Sequence, residues 1–333
     1  MGFSVGIVGF PNVGKSTLFK ALTKKEALVA PYPFTTIQPN YGIVQVPDKR
    51  LEEIAKIVQP EKITPTSIEF VDIAGLVKGA YQGEGLGNQF LAQIRNCDAI
   101  LMVIRGFDDE RIENVFGTID PEKELEVLKT ELIMKDLETL EKVLEKAENE
   151  AKRDKKFIKR IEILKKIRNF LSEGKTILEA ELNQEEKKEI KEYQFLTQKP
   201  IIYLININDE RKESFKNLSF NPLIINLKEA AESKLSLDRV IINCYNVLDL
   251  ITFFTIAKGK EVKAWTIKKG LDAKEAAGII HSDFKEKFIK AEVINWKSLV
   301  EAGGWKKARE LGLLKIQGKN YIVQDGDIIE FKI

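Results

Sequence analysis

Gly9-Phe10-Pro11-Asn12-Val13-Gly14-Lys15-Ser16 is the stretch on which the fold turns. It follows a short apolar strand, Phe3 to Val8, and opens a segment with helical spacing, Lys15 to Leu22. A G-x-x-x-x-G-K-[ST] pattern set between a strand and a helix is the context of a phosphate-binding loop. Its glycines let backbone N–H groups curl around phosphate oxygens, and the helix N-terminus adds a favourable dipole. In such a loop Lys15 reaches the β- and γ-phosphates and the Ser16 hydroxyl ligates Mg2+. Asn12, Val13, Gly14, Lys15, Ser16 and Thr17 are the expected nucleotide contacts. A chance glycine turn is the alternative, and the flanking elements argue against it.

Three more strands extend the pattern outward: Ile68 to Val71, the unbroken apolar run Ala99 to Ile104, and Pro200 to Ile207. Strands separated by helices predict a doubly wound, mostly parallel α/β sheet of the P-loop NTPase kind, GTPase-like in its motifs. Asp72-Ile73-Ala74-Gly75 follows the second strand, where an acidic residue holds Mg2+ through water. There Gly75 can turn a backbone N–H toward a γ-phosphate. Between the two motifs lies Pro33-Phe34-Thr35-Thr36-Ile37, one of whose threonines would complete the metal shell, as in switch-type hydrolases. The metal ligands expected are Ser16, Asp72 and one of these threonines.

Asn206-Ile207-Asn208-Asp209 ends the fourth strand, where the base-reading N-K-x-D motif belongs. An Asp there accepts two hydrogen bonds from guanine, and adenine offers neither donor. The lysine that packs along the base is replaced by Ile207, so the choice of base stays open. After D-x-x-G, conventional GTPases place a glutamine that orients the attacking water; here Leu76 stands, and a leucine cannot hydrogen-bond water.

Between the third and fourth strands the chain becomes rich in Glu, Lys and Leu. Leu125, Leu128, Leu132, Leu137, Leu140 and Leu144 form a helical stripe, and Phe157, Ile161, Leu164, Ile167 and Leu171 form a second. Two antiparallel helices in a coiled-coil hairpin are expected over 121–195. The nucleotide-binding domain then comprises 1–120 and 196–250. Residues 251–333, with short strand-like and helix-like runs, make an α+β module of domain size. Strands are expected there at Glu261 to Ile267, Phe288 to Ile294, Tyr321 to Val323 and Ile328 to Ile333.

Composition narrows the function. The chain of 333 residues carries 53 Lys+Arg against 51 Asp+Glu, a net charge of +2, so any polyanion contact must be a local patch. One histidine, His281, and two cysteines, Cys97 and Cys244, argue against a catalytic Ser-His-Asp triad, a zinc cluster and a disulfide framework. No apolar run is long enough to span a membrane, and the N-terminus lacks a signal pattern. A cytoplasmic monomer without membrane contact is expected. The basic run of Lys152, Arg153, Lys155, Lys156, Lys159, Arg160, Lys165, Lys166 and Arg168 has two readings. One is a footprint for RNA phosphates; the other is a helix attracted to its acidic neighbour.

Taken together, G-F-P-N-V-G-K-S-T, P-F-T-T-I-x-P-N, D-I-A-G-L-V-K-G-A, the helical insert and the last module resemble the YchF family, the Obg-like ATPases. In the last module the matching stretches are Val262-Lys263-Ala264-Trp265-Thr266-Ile267, Ala276 to Phe284 and Tyr321 to Asp327, and the module itself resembles a β-grasp TGS domain. The resemblance implies a Mg2+-dependent ATPase that associates with the ribosome or a subunit, through the basic hairpin and the TGS-like module. It places Asn206 and the Ile207 backbone at the base, and Ser16 and Thr36 at the Mg2+. Two positions depart from it. Asp209 stands where the family usually has Glu, which moves the motif toward guanine. Asn114 stands where the family usually has a histidine proposed to assist hydrolysis; an asparagine can orient a water but cannot take its proton. Lys15, Gly75, Leu76 and Asn114 are thus the catalytic candidates, and hydrolysis is expected to be slow. Asn12 is the residue type that some relatives use to bind K+ beside the phosphates, with a turn-forming asparagine as the alternative. Besides the ATPase reading stand a true GTPase using Asp209 and a nucleotide-gated RNA-binding adaptor with negligible turnover.

Overall fold

The apolar runs of the sequence become the strands that carry the phosphate loop. A computed structural model describes residues 2–24, 40–73, 86–152, 154, 157–208, 214–215, 217–230, 234–257 and 260–333. The expected site residues Thr36, Gly75, Leu76 and Asp209 lie outside them, as do Arg153, Lys155 and Lys156.

The chain begins with β1 (Ser4–Val8), α1 (Lys15–Lys24), β2 (Asn40–Gln45), α2 (Lys49–Val58), β3 (Lys62–Thr64) and β4 (Ser67–Asp72). Next come α3 (Leu86–Arg95), β5 (Ala99–Gly106), the long helices α4 (Pro121–Ala151) and α5 (Ile158–Ser172), and the short α6 (Gln184–Ile190). β6 (Ile201–Ile207), β7 (Leu223–Ile225), α7 (Leu227–Ala230) and α8 (Lys234–Val247) follow. The last part holds β8 (Leu250–Ala257), β9 (Glu261–Lys268), α9 (Ala273–Ile280), α10 (Ser282–Glu286) and β10 (Lys290–Asn295). It closes with α11 (Trp296–Ala302), α12 (Trp305–Glu310), β11 (Lys315–Gln317) and β12 (Asp327–Lys332).

The chain divides into two compact units, residues 1–43 with 69–237, and residues 44–68 with 238–333. The first sheet runs β2-β4-β1-β5-β6-β7. β1 pairs in parallel with β4 and β5, β5 with β6, and β6 with β7. Ala99 through Ile104 are fully buried, as a central strand covered on both faces requires.

Within this unit the insert is helical, as its leucine stripes predict. Asp120 caps α4 by accepting the Lys123 N–H, with Pro121 in the first turn. Leu140, Leu144 and Ala147 pack with Ile163, Leu164, Ile167 and Leu171, but the core has a third side. Ile177, Leu182, Ile190 and Phe195, from the chain after α5, close it. The hairpin is therefore not an isolated coiled coil. Asp136 fastens that return: wholly buried, it accepts the Leu196 and Thr197 N–H groups and the Thr197 hydroxyl at 2.7–2.8 Å.

Four of the described residues of the basic run form ion pairs within the insert. Lys159 meets Glu185 at 2.7 Å, Arg160 meets Glu189 and Glu192 at 3.2 Å, and Lys166 meets Glu186 at 3.0 Å. These acids belong to α6 and the turn after it. Among the described residues of the run, only Lys165, with Glu148 at 3.2 Å, forms an ion pair with the acidic helix α4 that the sequence suggests as partner.

The second unit is a β-grasp arrangement with additions. Its sheet runs β11-β10-β12-β8-β9-β3. β8 and β9 form an antiparallel hairpin, β12 lies parallel to β8, and β10 is antiparallel to β12. α9 covers one face through Ala273, Ala276 and Ala277, packed with Phe253, Ile267 and Phe331. The other face is covered by α2, α11 and α12: Leu51, Ile54, Leu299 and Ala308 pack with Phe254, Val262, Ile294 and Ile328. Tyr321 to Val323, expected as a strand, makes only a single bridge, Ile322 to Asp272. Residues 44–68, which the sequence reading left in the nucleotide-binding domain, group here because β3 pairs in parallel with β9 and α2 buries its apolar face on this sheet. Trp296 and Trp305 pack against this core. Half-buried Trp265 donates its indole N–H to Thr255 at 2.9 Å. Among the described residues no helix is long and apolar enough to cross a membrane.

Candidate active site

The phosphate loop is shaped by two backbone positions that a side chain could not occupy. Gly9 and Gly14 have φ of 156° and 108°, in the region that favours glycine. A Cβ at Gly9 would stand 2.3 Å from the Val103 carbonyl oxygen, and one at Gly14 would stand 2.6 Å from Asn206 Nδ2. The loop therefore sits directly on β5 and on the end of β6. Asn206, buried at the C-terminal end of β6, stitches the pieces together. Its Nδ2 donates to the Val13 carbonyl at 3.0 Å, and its Oδ1 accepts the Leu227 N–H, at the start of α7, at 3.2 Å. Both ends of the carboxamide are engaged, so Asn206 holds the phosphate loop, β6 and α7 in one arrangement. Ile207 follows it, buried, with its register fixed opposite Gly106.

Lys15 opens α1 with its side chain only 7% exposed. Its ammonium donates to the Phe10 carbonyl at 2.7 Å, folded back over its own loop. Burial lowers its pKa to about 8, against the charges of Asp72 and Glu124, which favour the ammonium. A buried ammonium held by one carbonyl is short of partners, and phosphate oxygens supply them. Ser16 and Thr17 are exposed on the first turn of α1. Asp72 ends β4, opposite Ile7 in register and half-exposed. A hydroxyl and a carboxylate are the hard oxygen donors that Mg2+ takes while keeping water ligands, so Ser16 and Asp72 fit the ion. Among the described residues no group of three or more His, Cys, Asp or Glu side chains could hold another metal. Asn12 is exposed with φ 64°, a left-handed conformation that asparagine tolerates in turns.

The loop after β5 is built by a residue that the sequence reading passed over. Arg105, at 4% exposure, donates to the carbonyls of Phe107 (3.2 Å), Ile112 (3.0 Å) and Glu113 (2.9 Å), with that of Asp109 at 3.5 Å. Its guanidinium lies 4.4 Å from the centroid of the Phe107 ring. The loop so gathered turns at Asn114, whose Oδ1 accepts the Phe116 N–H and whose Nδ2 donates to the Thr118 carbonyl, both at 3.0 Å. This sets Phe116 edge-on against Phe10 of the phosphate loop, centroids 5.0 Å apart. Asn114 thus has its carboxamide engaged in its own turn and acts on the phosphate loop through Phe116.

Behind Arg105 stands Glu124, from the first turn of α4 and 4% exposed. Its Oε2 accepts the Arg105 N–H at 3.1 Å, while its Oε1 is buried without a hydrogen-bond partner. Burial pushes the carboxyl up to about 8, opposed by that N–H and by the charges of Arg105 and Lys15. From sequence, an acid in the first turn of a helix reads as an exposed complement to the helix dipole, which hid this one.

The structure thus brings together Val13, Gly14, Lys15, Ser16, Asp72, Asn206 and Ile207 around one loop. Comparison with known proteins places the whole chain in a family. Residues 4–162 match the family described as 50S ribosome-binding GTPase, and residues 250–333 match the YchF-GTPase C-terminal family, described as of unknown function. The chain is 41% identical to the ribosome-binding ATPase YchF of Bacillus subtilis, covering 100% of this chain and 99% of that protein. It is 43% identical to its Haemophilus influenzae namesake, with the same coverage. The solved structure of the Schizosaccharomyces pombe YchF GTPase superposes with a TM-score of 0.84 at 34% identity, over 99% of this chain and 98% of that one.

Proposed function

The chain belongs to the YchF family, and from that premise we propose that it is a cytoplasmic switch that binds and slowly hydrolyses ATP and associates with the ribosome. The observation that carries the nucleotide assignment is the Lys15 ammonium, buried against one carbonyl at the head of a loop whose Gly14 backbone lies hard against Asn206. Phosphates draw Lys15 outward and take the N–H groups of the loop and of the first turn of α1. Ser16, Asp72 and Thr36 would hold Mg2+, which would neutralise the charge of the phosphates. Asn206 and Ile207 form the floor beneath the base.

Slow turnover follows from what the site lacks. Leu76 offers a water nothing, and the Asn114 carboxamide already serves Phe116 and Thr118. Catalysis falls to positioning by backbone groups and metal, with K+ beside Asn12 as an added neutralising charge. Base choice is ATP, with GTP the competing reading because Asp209 supplies a guanine acceptor. Competitive titration of a fluorescent nucleotide with unlabelled ATP and GTP in Mg2+ tests this. ATP tighter by about tenfold, about 1.4 kcal/mol, supports the ATPase; GTP tighter overturns it.

The ribosome contact is assigned to the basic hairpin and the C-terminal unit. The carboxylates paired with Lys159 and Lys165 are themselves substantially exposed, and such pairs hold weakly, so rRNA phosphates can replace them. Binding that falls steeply with salt, and more shallowly in a Lys159→Glu, Lys165→Glu variant, is the expected result. An unchanged slope removes the hairpin from the contact.

A further inference from the structure

We propose that residues 44–68 couple the C-terminal unit to the nucleotide, because they complete that unit's core while lying in the chain between the two motifs expected to sense the γ-phosphate. This rests on the reading that a triphosphate binds at Lys15.

The segment is built into the second unit on three counts. β3 adds a strand to the sheet, with Lys62, Ile63 and Thr64 opposite Glu261, Val262 and Lys263. α2 covers one face of that sheet, burying Leu51 and Ile54 against Phe254, Val262 and Ala264. Arg50 locks it: the guanidinium meets Asp48 at 2.7 Å and Asp325 at 2.8 Å and lies 5.5 Å from the centroid of the Phe254 ring. Asp325 in turn accepts the Thr252 N–H of β8 at 2.9 Å. Thr64 donates to Glu261 at 2.5 Å, and the Thr66 and Thr266 hydroxyls are hydrogen-bonded.

The ends of the segment point to the nucleotide. β4 is one unbroken strand: it starts at Ser67 inside the segment and ends at Asp72, with Glu69 and Asp72 opposite Ser4 and Ile7 of β1. At the other end β2 leads back along the chain toward Thr36. A strand resists compression along its axis, and a packed core has discrete arrangements and does not yield smoothly. A displacement of Asp72 when Mg2+ and the γ-phosphate bind is therefore carried along β4 toward β3 and α2. A unit joined only at the later junction, within α8, would lack this path to Asp72. The coupling is reciprocal: whatever binds the C-terminal unit differently in the two states changes nucleotide affinity by the same factor.

Hydrogen exchange of the full chain, with and without Mg2+ and a non-hydrolysable ATP analogue, tests this. The expected result is slowed exchange in the phosphate loop together with an at least threefold change in Glu261–Lys268 of β9. Arg50→Ala and, separately, the milder Thr64→Val should reduce the β9 response while the phosphate loop stays protected; Thr64→Val guards against loss of folding in Arg50→Ala. Protection of the phosphate loop with β9 unchanged in the native chain overturns the coupling and leaves the nucleotide assignment standing. No protection of the loop at saturating analogue overturns both.

Discussion

Replacing Arg105 with lysine keeps the charge and removes the planar fork, which isolates what the fork does. The guanidinium serves three carbonyls within 3.2 Å, those of Phe107, Ile112 and Glu113, from a position 4% exposed. A lysine ammonium is a single nitrogen on an unbranched stem, so it can reach one of these sites and leaves two without a donor. Each lost bond to a charged donor is worth about 1.5 kcal/mol at the lower end of the usual range, so the loop loses about 3 kcal/mol. If opening of the loop is local, amide exchange over 107–118 should accelerate on the order of 100-fold. Because Phe116 then no longer holds Phe10 edge-on, nucleotide affinity should also fall, by about tenfold. Exchange by mass spectrometry reads the first, and fluorescent-nucleotide titration the second. Native exchange rates in 107–118 would falsify the view that Arg105 organises this loop, whatever happens to affinity.

Three further outcomes follow from the same geometry. Gly14→Ala places a Cβ 2.6 Å from Asn206 Nδ2 at a φ of 108°, so nucleotide binding should drop by well over tenfold, about 1.4 kcal/mol or more; a titration matching the native protein refutes the close approach. The Lys15 ammonium, lowered to about 8 by burial, binds phosphate only when charged, so affinity should be full below about pH 8 and decline as pH rises through it. For folding the sign is reversed: the folded value lies below the unfolded one, so the cost of burying the charge is present below about 8 and is relieved above it. A flat affinity profile between about pH 7 and about pH 9.5 counts against the burial. Asp136→Ala strips two buried backbone N–H groups, of Leu196 and Thr197, of their acceptor and should destabilise the insert by about 2–5 kcal/mol. Faster amide exchange across α4 and α5 reads it, and unchanged exchange refutes it.

The phosphate loop was legible because everything that defines it is local: two glycines, a lysine and a serine at fixed spacing between a strand and a helix. The strand ending at Asn206 was legible for the same reason, and the leucine stripes announced α4 and α5. What escaped is what depends on partners distant in sequence. Arg105 closes an apolar strand and Glu124 opens a charged helix, and only the packed structure shows the Arg105 guanidinium buried among the carbonyls of the loop after β5 and the Glu124 carboxyl buried against the Arg105 backbone N–H. The ion pairs of Lys159 and Lys166 escaped because their partners, on α6, sit in a segment with no apolar stripe of its own. Tyr321 to Val323 has strand-forming residues, yet Tyr321 is drawn off to Asp327 through its hydroxyl at 2.7 Å. The assignment of residues 44–68 was beyond local pattern altogether, since α2 and β3 find their sheet only after the rest of the chain has passed.

That delay has a consequence during synthesis. Lys62 pairs with Glu261, about two hundred residues downstream. At a ribosomal rate of roughly 5–20 residues per second, α2 must wait about 10–40 s for the surface that buries Leu51 and Ile54. Through that interval the nascent chain displays a small amphipathic helix with nothing to cover it, while β4, which follows it, can already find β1. The C-terminal unit therefore cannot be the last bead on a string, folding by itself once released. It forms around a piece made early and held in reserve, and a chain truncated before β9 should be captured by chaperones even though its nucleotide-binding sheet is complete.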